Sequence, residues 1–204
     1  MRERSGIVVL LVAAAAVVGC GDDSTTTSTA TGPEETAQEL PKLPPGWKAQ
    51  RDRSLGYAIG VPPGWKVSGH GNRVLFRPPD HLVAVTLTAD RNAGTFKVPL
   101  SRFATQALGA LPGFKVPLEV GKPKPFKGTP LKAVQAAATG TQAGGLKEQA
   151  TLVVLRRDHF VNYTVAVLAN AEQAGAEIDR AVALRMIQTL RDQPVKEGAG
   201  SAAP

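Results

Sequence analysis

The side chains that most often carry catalysis or bind metals are sparse in this sequence and poorly spaced for either role. The three histidines, His70, His81 and His159, form no His-x-x-x-His pair, and the single cysteine precludes a Cys-x-x-Cys pair. Zinc sites usually show such closely spaced ligands. The motifs Gly-x-Ser-x-Gly, Ser-x-x-Lys and His-Glu-x-x-His are also absent from the sequence. We therefore expect no catalytic residue, no metal site and no cofactor, and we interpret the histidines as solvated turn residues.

Cys20, the only cysteine, has the clearest chemical role. Arg2 and Arg4 make the start of the chain basic, residues 7–18 are all apolar, and Gly19 precedes the cysteine. This is the layout of a secretory signal peptide. A helix over the apolar run would rise about 18 Å, which is too short for a hydrocarbon core of about 30 Å. We therefore do not expect a permanent transmembrane helix.

The segment Val17, Val18, Gly19, Cys20 resembles the lipobox of bacterial lipoproteins. The resemblance implies a diacylglyceryl thioether on Cys20 and cleavage before it, so that residues 1–19 are the signal peptide. The alternative is an ordinary signal peptide that contains a cysteine by chance. A lone thiol in an oxidising compartment invites intermolecular disulfides, which acylation prevents. We favour the lipoprotein and expect the protein to be exported and lipid-anchored to the outer face of the bacterial cell membrane.

Composition divides the rest of the chain into a tether, a domain and a tail. Residues 20–42 are rich in serine, threonine, acidic residues and proline, which is typical of a disordered linker; the sequence leaves open whether this tether is glycosylated. Residues 194–204 have a similar composition and are expected to be a disordered tail. The segment 43–193 remains as a single domain, and about 150 residues suffice for one ordinary hydrophobic core.

The hydrophobic periodicity along the domain is that of strands in some segments and that of helices in others. It predicts a helix over 99–111 and a second one that begins with a capping box of Asn170 and Gln173 and ends near Arg191. The apolar stripe of the second helix comprises Ile178, Val182, Met186 and Leu190, with Arg185 at its edge. The predicted strands lie at residues 57–61, 65–68, 73–77, 82–89, 114–120, 133–141, 149–156 and 160–168. Because short turns join consecutive strands, we predict an α+β fold with a mainly antiparallel sheet and two principal helices.

The pentapeptide Pro-Pro-Gly-Trp-Lys occurs twice, at residues 44–48 and 62–66, and contains the only tryptophans, Trp47 and Trp65. The residues after the two copies share no pattern, so the repeat does not indicate a duplicated module. Proline and glycine suit a sharp bend before a strand, and tryptophan suits a large buried anchor. We interpret Trp47 and Trp65 as structural anchors; the alternative is a binding motif.

The segment 56–65, Gly-Tyr-Ala-Ile-Gly-Val-Pro-Pro-Gly-Trp, resembles the entry pattern of the PsbP/Mog1-like family, and the late strand and final helix also fit it. The resemblance implies an α/β/α sandwich around an antiparallel sheet. It also implies a non-catalytic interaction module, because the family includes a photosystem accessory subunit, a partner of a nuclear-transport GTPase and bacterial lipoproteins. The bacterial lipid signal argues against both eukaryotic roles.

The net charge of +7 favours anionic partners, and four lysines share one proline-rich segment around Phe126. One interpretation is contact with anionic lipid or wall polymer near the anchor. The other, which we favour, is a solvated loop that keeps the protein soluble. The lysines are Lys122, Lys124, Lys127 and Lys132.

These observations predict a lipid-anchored, extracytoplasmic interaction or assembly module of the cell envelope, with no enzymatic activity and with an unknown envelope protein as partner. Export removes the opportunity to bind nucleic acid. The first alternative is a binding protein for a small apolar or anionic envelope ligand held between sheet and helix. The least favoured alternative is an envelope hydrolase.

Overall fold

The computed structural model describes residues 38–90, 98–111, 118–142, 145–157 and 162–194. Within them, eleven strands and two helices follow one another along the chain. The first five strands are β1 (Lys48–Asp52), β2 (Tyr57–Val61), β3 (Lys66–His70), β4 (Arg73–Arg77) and β5 (Val83–Asp90). Helix α1 (Leu100–Gly109), β6 (Glu119–Val120), β7 (Lys124–Pro125), β8 (Lys132–Thr141), β9 (Lys147–Arg156), β10 (Asn162–Asn170), α2 (Ala176–Gln188) and β11 (Arg191–Asp192) complete the order.

The described strands form two antiparallel sheets. The larger sheet has the order β3-β4-β5-β10-β9-β8-β6, with β7 also paired to β8. A smaller sheet, which the sequence did not predict, has the order β1-β2-β11. The mainly antiparallel α+β architecture with two helices is confirmed.

The larger sheet buries side chains on both faces, as its alternating pattern requires. On one face, Leu100, Ala104 and Leu108 of α1 pack against small side chains of β8 and β9. On the other face, α2 and β2 pack over β5, β9 and β10 around a larger apolar cluster. The chain is therefore layered as helix, sheet, and helix with a small sheet.

Helix α2 differs from its prediction at both ends. The N-cap is Gly175, with no side-chain cap, and the Asn170 side chain instead accepts the Glu172 N–H at 3.1 Å. The helix ends at Gln188, and Arg191 starts the last strand; its guanidinium donates to the Gln188 carbonyl at 2.9 Å. The predicted capping box and the helical end near Arg191 are therefore wrong, because a tight turn precedes the helix and a strand follows it.

The apolar stripe predicted for α2 is correct at Met186 and Leu190, which are buried, and wrong at Ile178. Ile178 is 70% exposed, whereas Ala176, Ala183, Met186 and Ile187 are buried. The buried face is set by contact with β10, β2 and β5, and this contact rotates it away from Ile178. Ile178 remains as an exposed apolar side chain near the start of the helix.

Candidate functional site

The two Pro-Pro-Gly-Trp-Lys segments fold into the same tight turn. In the first, the Trp47 N–H donates to the Pro44 carbonyl at 3.1 Å, and Gly46 has φ 79°. In the second, the Trp65 N–H lies 3.4 Å from the Pro62 carbonyl, and the glycine again has φ 79°. Proline at the second position and glycine with positive φ at the third define a type II β-turn. The repeated pentapeptide is one structural unit used twice.

The two turns pack against each other at one end of the smaller sheet. The pairing of β1 with β2 places Lys48 opposite Val61 and so brings together the turn before β1 and the turn after β2. A Cβ atom built on Gly46 would lie 3.7 Å from Pro63 Cγ, which is ordinary van der Waals contact. The sequence could not show that the two copies meet, because that contact depends on the strand pairing.

An open groove of about 290 Å³ lies between the turns, which we call the twin-turn groove. Its walls come from β1 and from the chain that runs from β2 into β3. Trp65 and Val67 supply apolar surface, and Lys48 supplies positive charge. The lining is Gly46, Lys48, Ala49, Gln50, Val61, Pro62, Pro63, Gly64, Trp65 and Val67. The groove therefore combines apolar surface with one positive charge.

Both tryptophans are half-buried and pack against the larger apolar cluster. The ring of Trp47 covers Gly60, where a built Cβ would lie 3.3 Å from Trp47 Cε3. Trp65 packs on the core and also lines the groove. The described structure thus gives Trp65 contacts with both the fold and the twin-turn groove.

The lysine-rich segment is not a free loop. Strand β7 pairs with β8, and the Phe126 N–H donates to the Ala133 carbonyl at 3.0 Å. Phe126, around which the lysines lie in the sequence, is buried in the core. The Gln188 side chain of α2 donates to the Lys127 carbonyl at 3.2 Å. The candidate anion-contacting residues Lys122, Lys124, Lys127 and Lys132 are all exposed.

The structure describes two of the three histidines and does not describe the cysteine. His81 is exposed and follows a turn, and His70 is the last residue of β3. Cys20 and His159 lie outside the described residues. Among the residues that are described, no group of three or more histidine, cysteine, aspartate or glutamate residues could hold a metal ion. No helix in the same part of the chain is long and apolar enough to cross a membrane.

The structure also brings together a buried polar network that sequence reasoning missed. Arg157 Nε lies 2.9 Å from Asp192 Oδ2, and the two side chains are 12% and 10% exposed. The Tyr163 hydroxyl is within hydrogen-bond distance of the Gly56 carbonyl, at 2.6 Å, and of Asp192 Oδ1, at 2.8 Å. These contacts tie β2, β10 and β11 together, so we assign the network a structural role. The sequence offered no signal for it, because its members lie far apart along the chain.

Asp80 and Asp179 form a second unpredicted contact. Burial raises the pKa of Asp179 above its ordinary value, and the neighbouring charge and hydrogen-bonding side chain of Asp80 raise it further. Asp80 Oδ1 also accepts the Leu82 N–H at 3.1 Å. A neighbouring carboxylate disfavours the charged form of a carboxyl group, so the neutral form of Asp179 is favoured here.

Comparison with known proteins identifies the fold. A mutant of Mog1 superposes with a TM-score of 0.51 at 10% identity, over 72% of this chain and 96% of the Mog1 chain. Cyanobacterial PsbP from Synechocystis gives 0.46 at 14% identity, over 79% and 99%. A structure from Bacteroides thetaiotaomicron gives 0.48 at 16% identity and 76% coverage, and this chain spans about half of it, 51%.

The chain therefore has the PsbP/Mog1-like fold, and the α/β/α expectation from residues 56–65 is confirmed. No protein-family model matches the chain. No curated protein sequence matches it either. At 10–16% identity the likeness to solved structures shows the fold and not a function.

Proposed function

We propose that this protein is a lipid-anchored, extracytoplasmic module that binds a partner protein of the bacterial cell envelope and is not an enzyme. The anchor is the lipidated Cys20 that the lipobox resemblance implies. The residues after Cys20 tether the domain to the outer face of the cell membrane. Gln38, the first described residue, is already attached to the domain, because its N–H donates to the Asp192 carbonyl at 3.3 Å.

The observation that carries the proposal is the twin-turn groove. It combines an exposed apolar surface with a flanking cation, and it opens at the protein surface. Val67, at 39% exposure, is one of the few large apolar side chains of the described residues that face solvent. Exposed apolar surface bordered by polar groups is a feature of protein interaction sites.

The fold supports the same class of function. Mog1 of Saccharomyces cerevisiae is a Ran-binding protein, so the same fold serves protein binding in Mog1. The alternative of a small ligand between sheet and helix has less support. The twin-turn groove lies between strands at the surface, whereas the side chains between α2 and the sheet, such as Met186 and Val165, are fully buried.

Photo-crosslinking in native envelopes tests the proposal. A photoreactive amino acid replaces Val67 in the full chain, and the matched control places it at Leu146, which is 52% exposed and does not line the groove. We expect a discrete adduct with an envelope protein from position 67 and none from position 146. Equal labelling from both positions, or no adduct from position 67, would contradict a partner at this surface.

The exposed lysines favour a second, additional contact with anionic lipid or wall polymer. Phe126 and the Gln188 contact hold the segment against the domain, so the lysines are presented on an ordered surface. Near an anionic membrane each lysine contributes about 1 kcal/mol, within a Debye length of about 8 Å. The positive charge of these lysines would strengthen the membrane attachment that the lipid anchor provides, and would not replace it.

Vesicle binding of a Cys20→Ser chain tests this contact. The vesicles contain phosphatidylglycerol, and neutral phosphatidylcholine vesicles serve as the reference. Replacing Lys122, Lys124, Lys127 and Lys132 together by glutamine should abolish binding. The control replaces four other exposed lysines, Lys42, Lys48, Lys66 and Lys147, and has the same net charge. Equal loss in both variants would show that only overall charge matters and would end the second candidate.

A further inference from the structure

The outer edge of β1 has backbone groups that no described strand pairs with. β1 is the terminal strand of the smaller sheet, and β2 is its only partner among the described strands. Lys48, Ala49 and Arg51 are exposed. An exposed edge strand is a ready template for a further strand.

The hydrogen bonds of β2 reveal which β1 groups point outward. Gly60 lies opposite Ala49, yet its N–H donates to Thr189 Oγ1 at 2.7 Å and not to β1. Ala49 and Gly60 therefore form a non-hydrogen-bonded pair, in which the N–H and C=O groups of each residue point away from the other strand. It follows that the N–H and C=O of Ala49 face away from β2.

The pair two positions along the ladder agrees. Ala58 lies opposite Arg51 on one side and Arg191 of β11 on the other. Because hydrogen-bonded and non-hydrogen-bonded pairs alternate along an antiparallel ladder, Arg51 also presents its N–H and C=O outward. Two outward-facing residues, spaced by two, are what an added β-strand requires.

The side chains around this edge define what such a strand would contain. Lys48 and Gln50 lie on one face of β1, towards Trp65 and Val67 in the groove lining, and Arg51 lies on the opposite face, since side chains alternate along a strand. Alternate residues of an added strand would therefore meet Trp65 and Val67. The residues between them would lie on the face of the exposed Arg51. A partner strand that is complementary to this edge of β1 would therefore alternate apolar and acidic residues.

We propose that an extended segment of the partner protein binds by adding a strand to β1, with apolar side chains in the twin-turn groove and acidic side chains beside Arg51. The inference rests on the proposed function, which needs a partner at this groove, and adds the partner's chemistry. Main-chain hydrogen bonds to Ala49 and Arg51 provide affinity. The twin-turn groove and the Arg51 guanidinium provide selectivity.

Peptide titration of the full-length chain in detergent tests the inference. The probe is the heptapeptide VEVEVEV, and its charge-reversed counterpart VKVKVKV is the control. Ala49→Pro removes one outward N–H and leaves the ladder to β2 intact, because proline is tolerated at edge positions that face solvent. Ala49→Thr keeps the donor. We expect Ala49→Pro to weaken VEVEVEV binding by about tenfold and Ala49→Thr, which keeps the N–H, to weaken it much less.

A second variant keeps the test decisive if Ala49→Pro unfolds. Arg51→Glu leaves the backbone unaltered and should exchange the preference, so that VKVKVKV binds more tightly than VEVEVEV. No binding of VEVEVEV to the native chain, or no effect of either variant, overturns the inference. A dimer of the native chain that Ala49→Pro dissociates also overturns it, because a second copy would then occupy the edge.

The crosslinking experiment separates this inference from the function on which it rests. An adduct at position 67 that survives Ala49→Pro unchanged would overturn strand addition and leave the proposed partner binding intact. Loss of that adduct in Ala49→Pro, but not in Ala49→Thr, supports strand addition. Absence of the adduct in the native chain would overturn the proposed function as well.

Discussion

At the scale of single residues, two fully buried tyrosines differ in what their hydroxyl groups contact. The Tyr163 hydroxyl is within hydrogen-bond distance of Gly56 and Asp192, whereas the buried Tyr57 hydroxyl has no hydrogen-bond partner among the described residues. Burial and the charge of Asp52 raise the pKa of Tyr57, so this side chain stays neutral.

Replacing each tyrosine by phenylalanine should therefore have unequal effects on the free energy of unfolding. Tyr163→Phe should lower it by about 1–3 kcal/mol, because it removes the bond to Gly56 and weakens the support of Asp192. Tyr57→Phe loses no hydrogen bond to a described residue and should be neutral or stabilising. Urea denaturation measures both free energies. A Tyr57→Phe variant that loses as much stability as Tyr163→Phe would contradict the difference in hydrogen bonding between the two hydroxyl groups.

The Asp80–Asp179 contact makes stability depend on pH. Because the pKa of Asp179 is raised in the folded state, the fold prefers its neutral form, and the associated stability is lost as the pH rises through that pKa. Asp179→Asn should therefore raise the melting temperature at neutral pH. The gain should shrink as the pH falls and the native carboxyl becomes protonated.

Asp80→Asn removes the same repulsion and is the matched variant for this prediction. Combined with Asp179→Asn, it should add little, because the two residues act on one interaction. A gain from Asp179→Asn that is the same at acidic and neutral pH would show that the carboxylate pair is not its cause.

At the scale of elements, the twin turns are the feature that organises the proposed site. Both need a glycine with positive φ, so Gly46→Ala and Gly64→Ala should each cost about 1–2 kcal/mol in the free energy of unfolding. Gly64→Ala should cost more, because its Cβ would lie 3.2 Å from Pro79 Cγ, against 3.7 Å to Pro63 Cγ for Gly46→Ala.

Gly109→Ala is the control for these two variants, because no atom of the described residues outside its own turn of helix lies within 4 Å of its added Cβ and alanine favours the helix. It should be neutral or stabilising by thermal denaturation. If Gly46→Ala and Gly64→Ala were equally harmless, the turns would not need their glycines, and the account of the repeat would be wrong.

Local sequence patterns predicted the helix and the strands that do not depend on distant contacts. Helix α1 lies within the predicted range 99–111, and strands β2, β4 and β5 match within a residue. In these segments, the apolar spacing and the proline and glycine signals agree with the final packing. Proline followed by glycine likewise predicted the two sharp bends, which the structure shows to be type II turns.

Features that depend on distant contacts were not predictable. Phe126 is buried because β7 pairs with β8, and Ile178 is exposed because α2 turns another face to β10. The twin-turn groove and the Arg157–Asp192 pair need segments that only the folded topology brings together. Hydrophobic alternation and secondary-structure propensity do not indicate which of several apolar or charged residues will be in contact in the folded chain.

At the scale of the whole molecule, the proposed lipid anchor at Cys20 would determine which partners the domain can meet. The lipobox resemblance predicts that the mature chain begins at Cys20 and stays with the membrane fraction. Several acyl chains on one residue would make that attachment firm, at about 0.8 kcal/mol per buried CH₂. Cys20→Ser should release the chain from membranes while its melting temperature stays unchanged, because the described domain begins well after that residue.

Mass spectrometry of the native protein tests this central claim most directly. The N-terminal peptide should begin at Cys20 and have the mass of a diacylglyceryl-modified cysteine. An unmodified Cys20, or a mature chain that begins at another residue, would contradict the lipid anchor and, with it, the proposed place of this module on the outer face of the membrane.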